Sequence, residues 1–277
     1  MGDSHRTYEI RCPIYGFIQI NDWEREIINH PCFQRLRRIR QLGWTDYVYP
    51  CAMHTRFEHS LGVMHIAAML YERIAQNSRE ILKTTLGYND DGLKRDRTLV
   101  RLTALLHDIG HAPFSHASEE LFPLKSEDAD GKRYKHEDYS AQIVRQHFQD
   151  IITHHPLNRN YGFEAEHIAR LLENSAEAGN ALFWRSLVVG QMDADRMDYL
   201  LRDSLHAGVD YGKFDWRRLL NTVEVVPDEE GDIPPAWESM KTAFTLLKGC
   251  SWHDISCLPK SIFIRLAWPT TVIFNTL

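Results

Sequence analysis

The stretch that decides the fold reads LLHDIGHAPFSH and covers residues 105–116. It follows an apolar run that predicts a buried helix over residues 98–108, and Gly110 and Pro113 bring that helix to an end. Neighbouring residues diverge by about 100° around a helix, so His107 and Asp108 can reach one ion only near the helix end. An imidazole beside a carboxylate suits Mn, Fe, Zn, Ni or, less well, Mg.

A second segment upstream carries the same residue types. It reads HTRFEHSLG over residues 54–62, with His59 near the start of a long amphipathic stretch and Arg56 one turn before it. The apolar positions that follow have near-helical spacing, which predicts a helix over residues 56–83. His59 therefore also lies near the end of a helix, as His107 does.

A third segment downstream reads QMDADRMDYLLRD over residues 191–203. On a helix Asp195, Tyr199 and Asp203 share one face, while Asp198 and Arg202 can pair on another. A solvated, salt-bridged face is the simpler interpretation, but the methionines and leucines between these charges indicate a buried helix. Buried charges need partners, so this segment is a candidate for part of the site.

The rest of the sequence predicts a mostly α fold. Residues 8–20 form an extended lead-in, residues 43–52 a loop with aromatic side chains, and residues 87–97 and 125–135 polar loops. A short β-hairpin is predicted near residues 223–233. The remaining predicted helices cover residues 23–29, 32–41, 136–149, 163–173, 181–203 and 216–220.

Composition narrows the class of protein. The chain has 277 residues, 43% of them hydrophobic, with a net charge of −6, which argues against a nonspecific nucleic-acid binder. Five cysteines without CxxC spacing favour a reducing cytoplasm over a disulfide framework. The start of the chain lacks the apolar core of a signal peptide, and no segment has the roughly 20 apolar residues of a membrane helix. The arginines of residues 35–40 fit either phosphate binding or a solvated helix face.

Five segments in this order resemble one known family. They read FQRLRRIRQLG (33–43), HTRFEHSLGV (54–63), HDIGHAPFSH (107–116), KHED (135–138) and DADRMDYLLRD (193–203). The order His, His-Asp, Asp resembles the HD superfamily, and the flanking text is similar to its deoxynucleoside triphosphate triphosphohydrolase branch, including bacterial dGTPases. The resemblance covers about residues 14–210 and implies an HD-domain helical bundle.

The resemblance also implies a role for individual side chains. A divalent metal (Mn, Mg, Fe, Zn or Ni) is expected on His59, His107, Asp108 and Asp195. The phosphate pocket and its acid–base residues are expected to be His111, His116, Glu119 and His136. Contacts with phosphate are expected from Arg56 and Arg196, and contacts with the sugar and base from Gln41, Leu42, Tyr199 and Asp203.

The implied reaction follows from these parts. Metal, arginines and histidines offset the charge of a triphosphate, water attacks the α-phosphorus, and deoxynucleoside and triphosphate leave. Three alternatives stay open: an HD hydrolase acting on another nucleotide as a nucleotidase or phosphodiesterase, a catalytically impaired nucleotide-binding protein, and a purely structural His-Asp cluster. The expected partners are a dNTP and, if the C-terminal region is intact, further copies of the chain. Binding of single-stranded nucleic acid by the arginines has weak support.

The chain departs from the family pattern at three places. Cys12 stands where the family has aspartate, and Asn29 stands where relatives with an allosteric nucleotide site have an acidic residue. We expect an HD phosphohydrolase domain over residues 1–248, with its metal core at about 33–210, and an atypical tail over residues 249–277. Codons compatible with residues 251–277, read two bases on, can encode a stretch similar to the next family helix. A frame change is therefore a hypothesis for the tail, and it would affect base recognition, assembly or activity.

Overall fold

The computed structural model describes residues 6–84, 87–125, 131–190 and 193–225. Its described part is helical apart from one antiparallel hairpin, formed by β1 (Thr7–Cys12) and β2 (Gly16–Asn21). Gly16 takes the left-handed conformation, with φ of +84°, that the turn between the strands requires. The prediction of a mostly α fold is confirmed, and the extended lead-in proves to be this hairpin.

Eleven α-helices occupy the described residues. They are α1 (Asp22–Asn29), α2 (Pro31–Gln34), α3 (Arg56–Asn77), α4 (Arg79–Thr84), α5 (Asp90–Leu106), α6 (His136–His147), α7 (Gln149–His154), α8 (Ala165–Leu172), α9 (Ala181–Arg185), α10 (Ala194–Ala207) and α11 (Trp216–Thr222). Short 3₁₀ helices cover Arg35–Arg38, Thr45–Tyr47, Ser115–Leu121, Pro156–Asn160 and Ala176–Ala178.

Four predicted helices have wrong boundaries, and the one predicted over residues 32–41 is α2 followed by the 3₁₀ helix Arg35–Arg38. The predicted helix 56–83 is two helices, because α3 ends before Ser78. The helix predicted from residue 98 begins at Asp90, since the Asn89 side chain accepts the backbone N–H of Gly92 at 2.7 Å and so caps it. The predicted helix 181–203 is likewise two helices, α9 and α10, the second capped by Asp193. Residues 223–225 form no strand, and the rest of the hairpin predicted near 223–233, like the tail 249–277, lies outside the described residues.

Helix α3 is the centre of the domain, and it packs against α5 and α10. Most of its side chains are buried, and Gly62 allows the close approach of α10: a Cβ there would lie 1.8 Å from Asp198 Oδ1. The capping box of Thr55 and Glu58 fixes where α3 begins. The N-terminal half of α3 is thereby held against the first turns of α10.

The end of α5 is fastened to the start of α6. Ser140 Oγ accepts the backbone N–H of Gly110 at 2.8 Å and donates to the carbonyl oxygen of His107 at 2.7 Å. A Cβ at Gly110 would lie 2.2 Å from the carbonyl oxygen of His136, so only glycine permits this approach. The fold therefore gathers four helix ends, those of α3, α5, α6 and α10, into one region.

Candidate metal centre

Three of these helices bring the predicted metal ligands together. His59 comes from α3, His107 and Asp108 from the end of α5, and Asp195 from the first turn of α10. His59 Nε2 lies 3.0 Å from Asp195 Oδ1 and 3.6 Å from Asp108 Oδ2, and His107 Nε2 lies 3.3 Å from Asp108 Oδ1. One ligand atom each from His59, His107 and Asp195 fall within 4.8 Å of one another. These three side chains form one cluster, and Asp108 lies beside both of its histidines.

The histidine nitrogens at this point fit a metal ion. Within the described residues His107 Nε2 is buried and has no hydrogen-bond partner, and the buried His59 Nε2 faces the carboxylates of Asp195, at 3.0 Å, and Asp108. Each ring is instead held through its other nitrogen: His107 Nδ1 is 2.7 Å from the carbonyl oxygen of Ala104, and His59 Nδ1 is 2.8 Å from Asp198 Oδ2. Partners of this kind fix metal-binding histidines so that the free nitrogen faces the ion. The donor set of two imidazoles and two carboxylates suits the metals predicted.

The charges at the centre are mutually dependent. Burial of His59 favours its neutral form, but the carboxylates of Asp195, Asp198 and Asp108 outweigh burial and raise the pKa of His59 to about 10. Burial likewise opposes the charge of Asp108, yet Arg56 and the neighbouring histidines hold the pKa of Asp108 well below its usual range. A divalent cation bound here would compete with the proton on His59 for the same carboxylates.

Asp198 is the buried anchor beneath His59. Arg202 donates to both of its oxygens at 2.8 Å, and the Tyr15 hydroxyl donates to Oδ1 at 2.8 Å. The pairing of Asp198 with Arg202 confirms the sequence prediction, whereas the contacts of Asp198 with His59 and Tyr15 were missed. Tyr15 is 183 positions away in the sequence, and no local pattern points to it.

A second group of side chains adjoins the metal ligands. It consists of His111, His116, Glu119 and His136, whose ligand atoms also lie within 4.8 Å of one another. The rings of His111 and His136 stack at 3.8 Å, and Glu119 Oε1 is 2.5 Å from His136 Nδ1 and 3.0 Å from His116 Nδ1. Asp108 Oδ1 lies 3.3 Å from His111 Nε2, so Asp108 adjoins both groups.

The pKa values of the two stacked histidines, His111 and His136, are shifted in opposite directions. Burial, with help from the positive charge of Arg56, holds the pKa of His111 well below its usual range. Burial also opposes charge on His136, but its hydrogen bond with Glu119 prevails and raises the pKa of His136. The same contacts with His116 and His136 lower the pKa of Glu119 despite partial burial. Neighbouring groups with separated proton affinities are typical of acid–base sites.

Two arginines, the buried Arg56 and the half-buried Arg35, support this region. Arg56 donates from Nε to Ser115 Oγ at 2.9 Å and from Nη1 to Asp108 Oδ2. Arg35 donates to the carbonyl oxygens of His111, at 2.7 Å, and of Ile109. Of the arginines in residues 35–40, Arg35 is therefore a support for the turn after α5 rather than a solvated side chain.

Residues 56–203 match the family model described as HD domain. This chain belongs to the HD domain family. It is 31% identical over 261 residues to a protein of Dictyostelium discoideum named deoxynucleoside triphosphate triphosphohydrolase SAMHD1 homolog, covering 92% of this chain and 47% of that one. It is 37% identical over 214 residues to an uncharacterized protein of Methanocaldococcus jannaschii, covering 77% of this chain and 37% of that one. The chain thus spans about half of the curated relatives it matches, or less.

A solved structure shows the same HD fold. It is the crystal structure of a hypothetical protein from Aquifex aeolicus, with a TM-score of 0.62 and 32% sequence identity, covering 87% of this chain and 58% of that one. HD domains bind divalent metals, and the His/Asp group described above is positioned for such an ion. Among the described residues, no helix combines the length with the apolar character that crossing a membrane requires.

Two of the four residues predicted to contact sugar and base, Gln41 and Asp203, contact one buried histidine, His54. His54 Nε2 is 2.7 Å from Asp203 Oδ1, and the backbone N–H of Gln41 donates to the carbonyl oxygen of His54 at 3.1 Å. Gln41 Oε1 and Arg196 Nε are buried without a hydrogen-bond partner among the described residues, while Leu42 and Tyr199 are half-buried. Sequence analysis missed His54, although it lies in the HTRFEHSLG segment.

Proposed function

We propose that this chain hydrolyses deoxynucleoside triphosphates to deoxynucleoside and inorganic triphosphate. One observation carries the proposal: Asp108 adjoins both the metal ligands and the histidine–glutamate group, at 3.6 Å from His59 Nε2 and 3.3 Å from His111 Nε2. A site that binds a cation beside a proton-transfer group is suited to the hydrolysis of phosphate esters. The relatives named triphosphohydrolases support this substrate class.

The phosphates would be bound by arginines together with the metal ion. His59, His107, Asp108 and Asp195 would hold a divalent ion, which when bound would supply positive charge to polarise a P–O bond or to activate water. Arg56 bonds Asp108, and Arg196 follows Asp195 in the first turn of α10, so we expect both arginines to contact phosphate oxygens. Guanidinium groups match the geometry of phosphate oxygens through paired N–H donors.

The histidine–glutamate group would move the protons. Water attacks the α-phosphorus, the bond from phosphorus to the 5′-oxygen breaks, and that oxygen takes up a proton as the deoxynucleoside leaves. His136 is suited to donate this proton, because Glu119 holds its Nδ1 and leaves Nε2 facing the site. His111, stacked on His136 and kept neutral by burial, is suited to orient the attacking water by accepting a hydrogen bond from it.

Deoxyribose recognition is proposed for the residues around His54. Tyr199 and Asp203 lie one and two turns after Asp195 on α10, so a sugar linked to bound phosphates would reach them. A half-buried tyrosine ring under the sugar leaves little room for a 2′-hydroxyl. Gln41, with its buried and unpaired Oε1, is suited to bond a base or sugar hydroxyl.

The proposal is tested by incubating the purified chain with Mn²⁺ or Mg²⁺ and a mixture of dNTPs, and by resolving the products by ion-exchange chromatography. Deoxynucleoside and intact triphosphate are expected, and both should be absent with His107→Ala and Asp108→Ala. His154→Ala is a matched control, since that histidine is exposed and pairs only weakly, at 3.7 Å, with Asp150.

Other outcomes of this assay would indicate a different function. Release of monophosphate or hydrolysis of a different nucleotide would indicate another HD phosphohydrolase. Nucleotide binding without turnover, in a preparation that binds Mn²⁺, would indicate a catalytically impaired nucleotide-binding protein.

A further inference from the structure

We infer that Tyr15, in the turn between β1 and β2, is a positioning residue of the metal centre. Its hydroxyl holds the carboxylate of Asp198, and that carboxylate holds His59 with Nε2 facing the metal. The inference rests on the metal centre of the proposed function. It goes beyond that function by giving the N-terminal hairpin, far from the HD segments in sequence, a part in metal affinity.

The contacts form one continuous chain from the half-buried Tyr15 to the buried His59. The Tyr15 hydroxyl donates to Asp198 Oδ1 at 2.8 Å, and Asp198 Oδ2 is 2.8 Å from His59 Nδ1. Arg202 donates from Nε to Oδ2 and from Nη2 to Oδ1, each at 2.8 Å. Asp198, Arg202 and His59 are all fully buried, so water does not compete for these bonds.

The chemistry of a carboxylate explains why each partner matters. An ionised carboxylate accepts hydrogen bonds and donates none, so Asp198 requires the ring proton of His59 on Nδ1. Nε2 then keeps its lone pair for the metal. The two bonds from Arg202 hold one edge of the carboxylate, and Tyr15 occupies a remaining lone pair of Oδ1. Together they prevent the carboxylate from rotating away from His59.

Tyr15 is itself held in place. Its ring packs edge-on against Trp216, with centroids 5.4 Å apart, and lies 5.3 Å from the ring of His65. The hairpin turn therefore presents the hydroxyl in one position. Burial and the charge of Asp198 also keep the pKa of Tyr15 well above its usual range, so the hydroxyl stays a donor.

The test compares two tyrosine variants of the same hairpin. Tyr15→Phe removes only the hydroxyl that bonds Asp198, and Tyr8→Phe removes a hydroxyl that bonds Asp22 Oδ1 at 2.9 Å, away from the metal ligands. The dissociation constant for Mn²⁺ is measured by competition with a chelating indicator, and the unfolding of the metal-free proteins is followed in urea with EDTA. We expect Tyr15→Phe to bind Mn²⁺ about tenfold more weakly, and Tyr8→Phe to bind as the wild type does.

A merely structural role predicts a different result. If Tyr15→Phe unfolds more easily but keeps the wild-type affinity for Mn²⁺, the inference is overturned, as it is if Tyr8→Phe loses equal affinity. Asp198→Asn is the second variant: its amide can donate to His59 Nδ1 and move the ring proton to Nε2, so Mn²⁺ binding should fall by more than in Tyr15→Phe. Unchanged affinity in folded Asp198→Asn would also refute the inference.

These results separate the inference from the proposed function. Metal affinity is measured without any substrate, so a wild-type chain that binds Mn²⁺ but hydrolyses no dNTP still allows the test. Conversely, wild-type affinity in Tyr15→Phe would overturn the inference and leave hydrolysis untouched.

Discussion

Replacing Gly62 by alanine should damage the metal centre without touching a metal ligand. The new Cβ would lie 1.8 Å from Asp198 Oδ1 and 2.5 Å from Arg202 Nη2. Nonbonded atoms need roughly 3.4 Å, so the carboxylate oxygen must move by about 1.6 Å. Both side chains are fully buried, and neither can swing into solvent. Either α10 moves away from α3, or the pair of Asp198 and Arg202 breaks.

The size of the effect follows from two opposing terms. Breaking a buried ion pair costs about 3–5 kcal/mol. Alanine is better than glycine inside a helix by about 1 kcal/mol. We therefore expect the free energy of unfolding of Gly62→Ala to fall by about 2–4 kcal/mol, which a domain with about 5–15 kcal/mol survives. Because Asp198 also holds His59, Mn²⁺ affinity should fall at least tenfold.

Urea unfolding in EDTA gives the stability term, and Mn²⁺ titration gives the affinity. Gly92→Ala is the matched control, because Gly92 is also helical and a Cβ there would meet only the Asn89 side chain, at 3.2 Å, and Tyr88, at 3.5 Å. We expect Gly92→Ala to be neutral to within about 1 kcal/mol. Equal behaviour of the two variants, in stability and in affinity, would refute the account of the contact between α3 and α10.

Three further predictions concern charge and protons. Arg56→Lys keeps the charge but cannot bond Ser115 and its carboxylate partner together, so kcat/KM for dNTPs should fall by about 10²–10³-fold; an unchanged kcat/KM would exclude a phosphate-binding role. Mn²⁺ at 100 times its Kd should raise the free energy of unfolding by about 2.7 kcal/mol over the EDTA value, and His107→Ala should abolish that increase; an equal increase in the variant would place the ion elsewhere. Burial and the nearby His147 lower the pKa of His30, whose Nδ1 accepts the backbone N–H of Cys32 at 3.3 Å. The folded state then binds fewer protons than the unfolded state, so the free energy of unfolding decreases as the pH falls through about 6.5. Asparagine caps a helix without titrating. The free energy of unfolding of His30→Asn, measured in urea, should therefore rise relative to that of the wild type as the pH is lowered from about 7.5 to about 5.5. A difference between the two proteins that does not change with pH would contradict the capping role.

The four metal ligands predicted from the sequence stay a prediction, but the structure places each of them at a helix end that local signals specify. Gly110 and Pro113 end the helix that carries His107 and Asp108, and Thr55 begins the helix that carries His59. Because these helix ends converge in the fold, the donor atoms of their side chains come close together. The early start of α5 was missed because its first turns are polar on the surface, and a polar tract resembles a loop until its cap at Asn89 is recognised.

The orientation of the ligands depends on contacts that no local pattern contains. A carboxylate and an arginine four residues apart predict a pair on one helix, but they do not tell which other side chains share the carboxylate. Here a histidine from α3 and a tyrosine from the hairpin do so, across 139 and 183 positions. Gly62 belongs to the same arrangement, because its missing side chain leaves the space that Asp198 fills.

The metal ligands and the residues that orient them should respond differently to substitution. A metal ligand acts through its own donor atom, so its loss should abolish binding whatever surrounds it. Tyr15 and Gly62 act only through Asp198, so their variants should weaken binding by similar factors and should not add when combined, because each removes the same restraint on His59. Additive losses in the double variant Tyr15→Phe, Gly62→Ala would show that the hairpin and α10 restrain the metal centre independently, and the shared carboxylate would then not be the link between them.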